Sequence, residues 1–249
     1  MSTTPRAPGW QGARNLADLG GLPLRDGGHT AYGVVWASGA PDEITDQGWA
    51  QARAAGLRRV VDLRNAVERE QAVTPEGVEV VHAPTEDPYD EEFLTECGPW
   101  LDHPRSWTPN LERYPDKIGR AVIAVAEADG GVLLHCAGGR DRTGMVGSLL
   151  LVLAGVGVEG VVANYERGFR GAAEHRGHTL AYDTSSGRWT PEAPDQTWEA
   201  DELDRALADR RPVLRDWYAT FDVVGYLGTA GVGPDARQRL AERLRGSDG

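Results

Sequence analysis

Apolar residues along this chain fall into two kinds of pattern, and their order predicts strands and helices in alternation. Short apolar runs indicate strands; they cover residues 33–37, 58–63, 78–83 and the segment that ends at Cys136. One helix is predicted over 46–55, before Gly56. Another is predicted over 116–128, where apolar residues recur at the i, i+3, i+4 spacing.

Alternation of this kind favours an α/β fold in which helices flank a central, mostly parallel sheet. The helical pattern returns after Val158 and again over 236–244, so residues 13–249 are expected to form a single domain. Residues 1–12 are rich in Pro, Gly, Ser and Thr and are expected to be a flexible tail. Residues 171–212 are polar and rich in charge, Gly and Pro, which leaves two interpretations open: a solvated insertion, or a lid over the site.

The strongest chemical signal lies in residues 132–144. An apolar strand ends at Cys136, a Gly-Gly loop follows, Arg142 comes six residues after the cysteine, and an apolar helix is predicted over 145–154. A strand that feeds a glycine-rich loop at a helix N-terminus directs several backbone N–H groups at one point, where the helix dipole adds partial positive charge. The sequence therefore predicts a site for a phosphate dianion.

Two side chains of this segment suit a reaction at phosphorus. The field that binds a phosphate also stabilises a thiolate, so Cys136 is expected to act as a nucleophile. Arg142 offers a planar fork of donors that can grip two phosphoryl oxygens at once. The residues expected to bind the phosphoryl group are consecutive: Ala137, Gly138, Gly139, Arg140, Asp141 and Arg142.

Composition and charge limit which classes of partner the protein is expected to bind and in which cellular compartment it is expected to work. The 249 residues carry a formal net charge of −12, which argues against nucleic acid as a partner, while Arg140 and Arg142 supply positive charge where the loop needs it. No apolar stretch approaches about 20 residues and the N-terminus has no apolar signal core, so no stable membrane insertion and no cleaved secretory signal are expected. Two cysteines do not make a disulfide framework, which favours the cytoplasm; export by a route without a cleaved signal stays open.

Residues 135–144, His-Cys-Ala-Gly-Gly-Arg-Asp-Arg-Thr-Gly, resemble the signature loop of cysteine-dependent protein tyrosine phosphatases. The ending Gly-Arg-Asp-Arg-Thr-Gly resembles the bacterial and fungal branch of atypical members, which are directed at lipids and proteins. Three further segments resemble motifs of that branch: Asn15 to Gly21, Val60 to Arg64 followed by Glu68, and Gly225 to Leu227 followed by Ala230 to Val232. The resemblance runs from about residue 13 to about residue 245, is weakest over 171–212, and implies a tyrosine phosphatase-like fold.

Two positions depart from the motifs of that branch. Ala17 stands where the N-terminal motif carries Arg, and Ala37 stands where Arg usually precedes the serine, here Ser38. Either a structural pairing has been dispensed with, or the rim of the pocket has lost positive charge. The departures therefore bear on substrate preference more than on the chemistry.

The resemblance implies a mechanism that needs no metal and no cofactor. Cys136 attacks phosphorus in line, Arg142 and the loop N–H groups stabilise the equatorial oxygens, and water hydrolyses the resulting thiophosphoryl-enzyme. His135 is expected to bond the loop backbone and fix its shape. The Thr143 hydroxyl is expected to bond either the cysteine sulfur or the backbone at the helix start.

The leaving oxygen also needs a proton donor within hydrogen-bond reach. Asp141 lies inside the loop beside Arg142, and the resemblance implicates a loop Asp. Asp87 follows a predicted strand, at the position of a mobile-loop Asp in other tyrosine phosphatases. Asp141 is the preferred prediction and Asp87 the alternative.

Four residues outside the loop have scaffold roles as their simplest interpretation. Arg64 and Glu68 are expected to pair across a strand–helix turn. Asn15 and Asp18 precede a Gly-Gly turn and are expected to bond local backbone.

Two further residues keep two interpretations each. Arg140 either helps to hold a second phosphate, as on a phosphoinositide, or is exposed and paired with a neighbouring Glu. Cys97 is expected to be a free thiol, and the alternative is a disulfide with oxidised Cys136.

These observations favour an active phosphatase over other classes of protein. The expected substrates are phosphotyrosine and, with latitude, phosphoserine, phosphothreonine or phosphoinositide monoesters, carried by a phosphorylated protein or phospholipid. The alternative is a module that recognises phosphate without hydrolysing it, but binding alone does not require Cys136. Sulfur transfer or arsenate reduction would need partner cysteines, for which Cys97 gives thin support, and no oligomeric state is predicted.

Overall fold

A five-stranded sheet forms the centre of the fold in a computed structural model, which describes residues 9–69, 75–175, 180–191 and 198–245. The strands are, in chain order, β1 (Ala17–Asp18), β2 (Val35–Ser38), β3 (Leu57–Asp62), β4 (Glu79–His82) and β5 (Gly131–His135). They lie in the order β1-β2-β5-β3-β4, and every neighbouring pair is parallel except β1 with β2. The predicted mostly parallel sheet is confirmed.

Helices pack on both faces of this sheet. They are α1 (Asp46–Ala54), α2 (Glu91–Cys97), α3 (Trp107–Arg113), α4 (Pro115–Ala126), α5 (Asp141–Ala154), α6 (Val158–Ala173), α7 (Ala200–Thr220), α8 (Val223–Thr229) and α9 (Pro234–Leu244). Short 3-10 turns include Ala66–Glu68 after β3. The remaining strands form a separate antiparallel hairpin, β6 (Leu180–Asp183) and β7 (Arg188–Pro191).

Successive residues of a central strand face opposite layers, so the sheet separates two hydrophobic clusters. In β3, Val60 joins the smaller cluster with Trp49 of α1, whereas Val61 joins the larger cluster with the helices of the other face. Helix α5 crosses the larger cluster, and side chains on several of its sides, among them Leu149 and Leu150, are fully buried. The start of α5, immediately after the candidate loop, is therefore held by core packing.

The carboxyl ends of the parallel strands meet at one edge of the sheet. Ser38 pairs with His135, His135 with Asp62, and Asp62 with His82, so four strands end in register. The segments that leave this edge are residues 39–40, 63–69, 83–87 and 136–140. Ligands of open α/β sheets bind at this edge.

Two sequence predictions need revision. The predicted tail reaches residue 12, yet Trp10 is buried and its ring lies 5.0 Å from that of Trp36, so ordered packing begins earlier; residues 1–8 lie outside the described residues. The 171–212 segment is not simply a solvated insertion, because its last part begins α7, whose Leu207 is fully buried in the main core. Residues 176–179 and 192–197 lie outside the described residues.

Within the described ranges, no helix combines the length and the apolar character needed to cross a bilayer.

The close contact between Gly119 of α4 and Ala230, just after α8, can be tested by its effect on stability. A Cβ at Gly119 would overlap the carbonyl oxygen of Ala230, so Gly119→Ala is expected to lower the free energy of unfolding by about 1–3 kcal/mol. Gly147→Ala in α5 is the matched control, since its new Cβ would lie 3.9 Å from the nearest neighbouring heavy atom. The control is expected to be neutral or up to about 1 kcal/mol more stable, because alanine favours a helix. Urea unfolding measures both, and equal losses would contradict this packing.

Candidate active site

The loop after β5 is shaped by donors that hold its carbonyl groups from outside. The Cys136 carbonyl lies 3.1 Å from His135 Nδ1, and the Ala137 carbonyl accepts the Ala40 N–H at 2.7 Å. The His135 contact confirms the predicted bond to the loop backbone. Burial lowers the pKa of His135, which favours its neutral form.

Asn15 supplies the remaining donors from the far end of the chain. Its side-chain amide donates to the carbonyls of Gly138 at 2.9 Å, Gly139 at 3.2 Å and Gly168 in α6 at 2.8 Å. Gly171 permits this approach, because a Cβ there would overlap the Asn15 amide oxygen. The prediction that Asn15 bonds local backbone is therefore wrong, since its amide bridges the loop and α6.

Gly139 occupies a position that excludes a side chain. Its φ is +69°, in the left-handed region that favours glycine, and a Cβ would overlap the backbone of Ser38. The carbonyls of residues 136–139 are thus held by donors outside the loop, and the loop leads directly into the N-terminus of α5. A loop of this shape at a helix N-terminus is suited to binding an anion.

Arg142 leaves the first turn of α5 and forms a bidentate ion pair with Glu68, with N···O distances of 2.5 and 2.7 Å. Glu68 also accepts the Asn65 N–H at 2.9 Å, which fixes the 3-10 turn after β3. Although burial favours the neutral carboxyl, the charge of Arg142 lowers the pKa of Glu68. Glu68 therefore orients the guanidinium.

The predicted pair of Arg64 with Glu68 is wrong. Arg64 is buried and bonds instead to Asp62 at 3.0 Å and to Asp42 at 2.9 Å. It ties the end of β3 to the turn after β2, while Glu68 stays free for Arg142. Glu68 lies three positions after Asn65, whose N–H it accepts, and its carboxylate faces Arg142 and not Arg64.

Asp141 lies at the first position of α5 and lines the cavity above Cys136. One carboxylate oxygen accepts the Arg140 Nε–H at 2.7 Å, and the other is buried without a hydrogen-bond partner among the described residues. Burial raises the pKa of Asp141, although the charge of Arg140 acts in the opposite direction. A carboxyl in this state retains its proton to higher pH than an exposed aspartate.

The interpretation of Arg140 as an exposed residue paired with a glutamate is wrong. Its side chain pairs with Asp141, and its guanidinium carbon lies 5.2 Å from the centre of the Phe169 ring. Arg210 of α7 lies over the same ring at 4.7 Å and bonds the Asp102 carbonyl at 3.1 Å. The phenyl ring thus carries two guanidinium groups beside the loop.

Glu86 is the site residue that sequence reasoning missed. It lies in the segment after β4, is buried, and lines the same cavity as Cys136, with one oxygen 3.5 Å from Arg142. The Asn65 and Asn110 amides donate to it at 3.4 and 3.3 Å. Burial raises the pKa of Glu86, against the influence of Arg142. Its place just beyond a parallel strand was the available signal.

The other candidates lie away from the cavity or make different contacts. Asp87 accepts the Tyr89 N–H at 2.9 Å in an exposed turn and is not among the cavity-lining residues. The Thr143 hydroxyl is buried, and neither predicted bond, to the sulfur or to the backbone, is present in the described part of the chain. Cys97 is a free thiol packed with Phe93, as predicted, and burial raises its pKa to about 11.

Ala17 and Ala37, which stand where the motifs of the bacterial and fungal branch carry Arg, lie opposite each other in the sheet. Ala17 of β1 pairs with Ala37 of β2, and both are buried. Ala37 lines a small void of about 10 Å³ behind the loop, together with Gly139 and Arg167. Burial lowers the pKa of Arg167 to about 10. The two departures thus occupy one spot behind the loop and not the rim of the cavity.

A cavity of about 490 Å³ opens above Cys136. Its floor is the loop with Arg142 and Asp141, and its side walls include Glu86 and the β6–β7 hairpin. Cys136 itself is 3% exposed and lines this cavity, which gives a ligand access to its side chain. The arrangement can hold a tetrahedral oxyanion against the sulfur.

Comparison with known proteins extends this picture. A tyrosine-protein phosphatase of Nostoc commune is 29% identical over 138 residues, which are 49% of this chain and 44% of that protein. A Cupriavidus necator protein named as a candidate tyrosine-protein phosphatase is 32% identical over 183 residues, 65% of each chain. The chain thus spans less than two thirds of either relative. The triple specificity protein phosphatase PtpB of Mycobacterium tuberculosis is 27% identical over 192 residues, 64% of this chain and 67% of that one.

Among solved structures, TpbA of P. aeruginosa in complex with phosphotyrosine aligns with 80% of this chain and 86% of its own, at 16% identity and a TM-score of 0.39. A sequence model of the tyrosine phosphatase family matches residues 8–246, nearly the whole chain. With that match, the chain belongs to the tyrosine phosphatase family.

Proposed function

We propose that this protein is a cysteine-dependent phosphatase that hydrolyses phosphotyrosine monoesters through a phosphocysteine intermediate. The observation that carries the proposal is the position of Cys136, which lines the same cavity as Arg142 at the loop that leads into the N-terminus of α5, where an anion would be stabilised. The named activities of the relatives support it. Binding without hydrolysis is the alternative, and it leaves the buried sulfur unexplained.

In the first step the Cys136 thiolate attacks phosphorus, so that an S–P bond forms while the P–O bond to the leaving group breaks. Arg142 and the loop N–H groups stabilise the charge on the three equatorial oxygens. Glu68 holds the guanidinium fork in the required plane. Asp141 gives its proton to the leaving oxygen, a role that its raised pKa supports.

In the second step water attacks the phosphocysteine. Asp141, now ionised, takes a proton from that water, the S–P bond breaks, and phosphate leaves with the thiolate restored. Every proton moves between substrate, water and Asp141. The chemistry therefore needs no metal or cofactor.

In this mechanism the loop would contact only the phosphoryl oxygens of a substrate, so the proposal includes slower hydrolysis of phosphoserine, phosphothreonine or phosphoinositide monoesters. The mycobacterial relative is named for a triple specificity, which supports this latitude. The substrate would be a phosphorylated protein or phospholipid. We place the enzyme in the cytoplasm, where a nucleophilic thiol stays reduced.

Replacing the nucleophile tests the proposal directly. Cys136→Ser is expected to abolish turnover of p-nitrophenyl phosphate in EDTA, because a hydroxyl lacks the activated thiolate. The same variant should still bind inorganic phosphate, since the loop N–H groups and Arg142 remain. Cys97→Ser is the control and should keep wild-type kcat. Well-folded wild-type protein that binds phosphate without turnover would instead support the recognition module.

The proton donor can be assigned from pH profiles. Asp141→Asn is expected to lower kcat by about 10²- to 10⁴-fold for phosphotyrosine and to flatten the basic limb of the profile, because loss of the Asp141 proton produces that limb. The raised pKa places the limb at higher pH than an exposed aspartate would. Asp87→Asn should leave the profile unchanged. Matching profiles for the two variants would contradict the assignment.

The amide of Asn15 offers a test of loop shape. Asn15 has a φ of 49°, so Asn15→Gly removes the side chain while keeping the backbone unstrained. Without donors for Gly138 and Gly139 the loop N–H groups lose their alignment, and kcat/KM should fall by about 10- to 100-fold. Affinity for inorganic phosphate should fall as well. A variant with normal phosphate affinity and normal kcat/KM would show that the loop keeps its shape unaided.

A further inference from the structure

We propose that the β6–β7 hairpin forms an aromatic wall of the cavity and that its Tyr182 and Trp189 contact the ring of an aryl phosphate, which makes them specificity-determining residues. The inference rests on the proposed phosphatase function and names its preferred substrate class. It gives a specific form to the lid interpretation of residues 171–212. No movement of the hairpin is required.

The two aromatic residues stand side by side. Tyr182 of β6 pairs directly with Trp189 of β7, and directly paired residues project from the same face of a hairpin. Their ring centroids are 5.4 Å apart at an interplanar angle of 57°. Both side chains line the cavity that contains Cys136 and Arg142. One face of the hairpin thus presents two rings to the candidate site.

The hairpin is anchored at two points of the main fold. Trp189 Nε1–H donates to the carbonyl of Pro88 at 3.0 Å, in the segment before α2. The Tyr182 ring lies on Gly98 after α2, where a Cβ would come within 3.0 Å of two ring carbons. The methyl group of Thr184 packs on the same glycine, 3.4 Å from that Cβ position. These contacts hold both rings against the cavity.

Different elements contribute charged and apolar side chains to the cavity, and Asp102 and His175 also line it. Arg142, Asp141 and Glu86 lie on the side of the loop and the strand ends, whereas Leu180 joins the two aromatic rings on the hairpin. Nearby chain adds Pro99 and Leu101 to the apolar side. Polar contacts fix the orientation of a ligand in such a pocket, and apolar side chains cover the rest of it.

An aryl phosphate monoester likewise combines a charged group, the phosphate dianion, with an apolar group, the ring on its bridging oxygen. When its dianion occupies the loop, the group on the bridging oxygen extends from the floor toward the apolar side. A phenyl ring there would make edge-to-face or offset contacts with the two aromatic rings, whereas the short aliphatic chain of phosphoserine offers little surface. The wall therefore favours aryl over alkyl phosphates.

The test compares two peptides of identical sequence, one with phosphotyrosine and one with phosphoserine. Tyr182→Ala and Trp189→Ala are each expected to lower kcat/KM for the phosphotyrosine peptide by about two- to tenfold, chiefly through KM, because each removes one ring contact. The phosphoserine peptide should change less than twofold. Tyr182→Phe should retain the wild-type preference, since the ring remains.

Two variants separate a specific wall from general disturbance. Gly98→Ala should displace the Tyr182 ring and reduce the preference without removing an aromatic residue. Tyr89→Ala is the matched control, because Tyr89 is 71% exposed and adjoins Pro88 but does not line the cavity. It should leave both peptides unaffected. Hairpin variants that slow both peptides equally, or neither, would overturn the proposal.

Failure of the proposed function gives a different result. A wild-type protein that hydrolyses neither peptide contradicts the phosphatase, and binding to the Cys136→Ser variant then tests the wall alone. In that background phosphotyrosine should bind more tightly than phosphoserine, and Tyr182→Ala should reduce the difference by two- to tenfold. An unchanged difference would exclude the wall irrespective of activity.

Discussion

The rest of the site depends on one constraint: the carbonyl groups of the loop after β5 are hydrogen-bonded to donors outside the loop. A buried peptide group that points its N–H at an anion needs a partner for its C=O on the other side, since buried carbonyls are almost always hydrogen-bonded. Here the donors are His135, the Ala40 N–H and, twice, the amide of Asn15. They come from three parts of the chain, so the loop acquires its shape only in the complete fold. The site is in this sense a product of tertiary structure.

Charge around the loop is organised in local groups, although the protein as a whole is strongly acidic. Arg142 is paired with Glu68, and Arg140 with the Asp141 carboxyl, so each of these two guanidinium groups has a carboxyl partner beside the loop. Glu86 adds a third carboxyl, buried and with a raised pKa. Attraction for a phosphate is therefore local, and in the proposed mechanism it comes from Arg142, the loop N–H groups and the start of α5.

The features that could be predicted from the sequence are those set by residues close together along the chain. Cys136 and Arg142 lie within one strand–loop–helix unit, whose order of apolar and glycine residues specifies both the local fold and its chemistry. Glu68, the partner of Arg142, is 74 residues away along the chain, and Asn15, the partner of Gly138, is 123 residues away. No local pattern could therefore assign these roles to Glu68 or Asn15. The β6–β7 hairpin was missed because its strands are short and polar residues surround them. Glu86 was overlooked for the adjacent Asp87, a difference of one residue that decides which side chain enters the cavity.

The Phe169 ring has two guanidinium groups over it, one from Arg140 and one from Arg210. This cluster connects the protonation of Asp141 to the packing of α7. Both cations favour the ionised form of Asp141, yet one of them belongs to α7, which reaches the loop only by docking against α6 and Asp102. The protonation of Asp141 and the docking of α7 are therefore thermodynamically linked, because each state of the carboxyl has a different energy with the helix in place. The C-terminal helices thus contribute to the acidity of the site from behind, without touching the substrate.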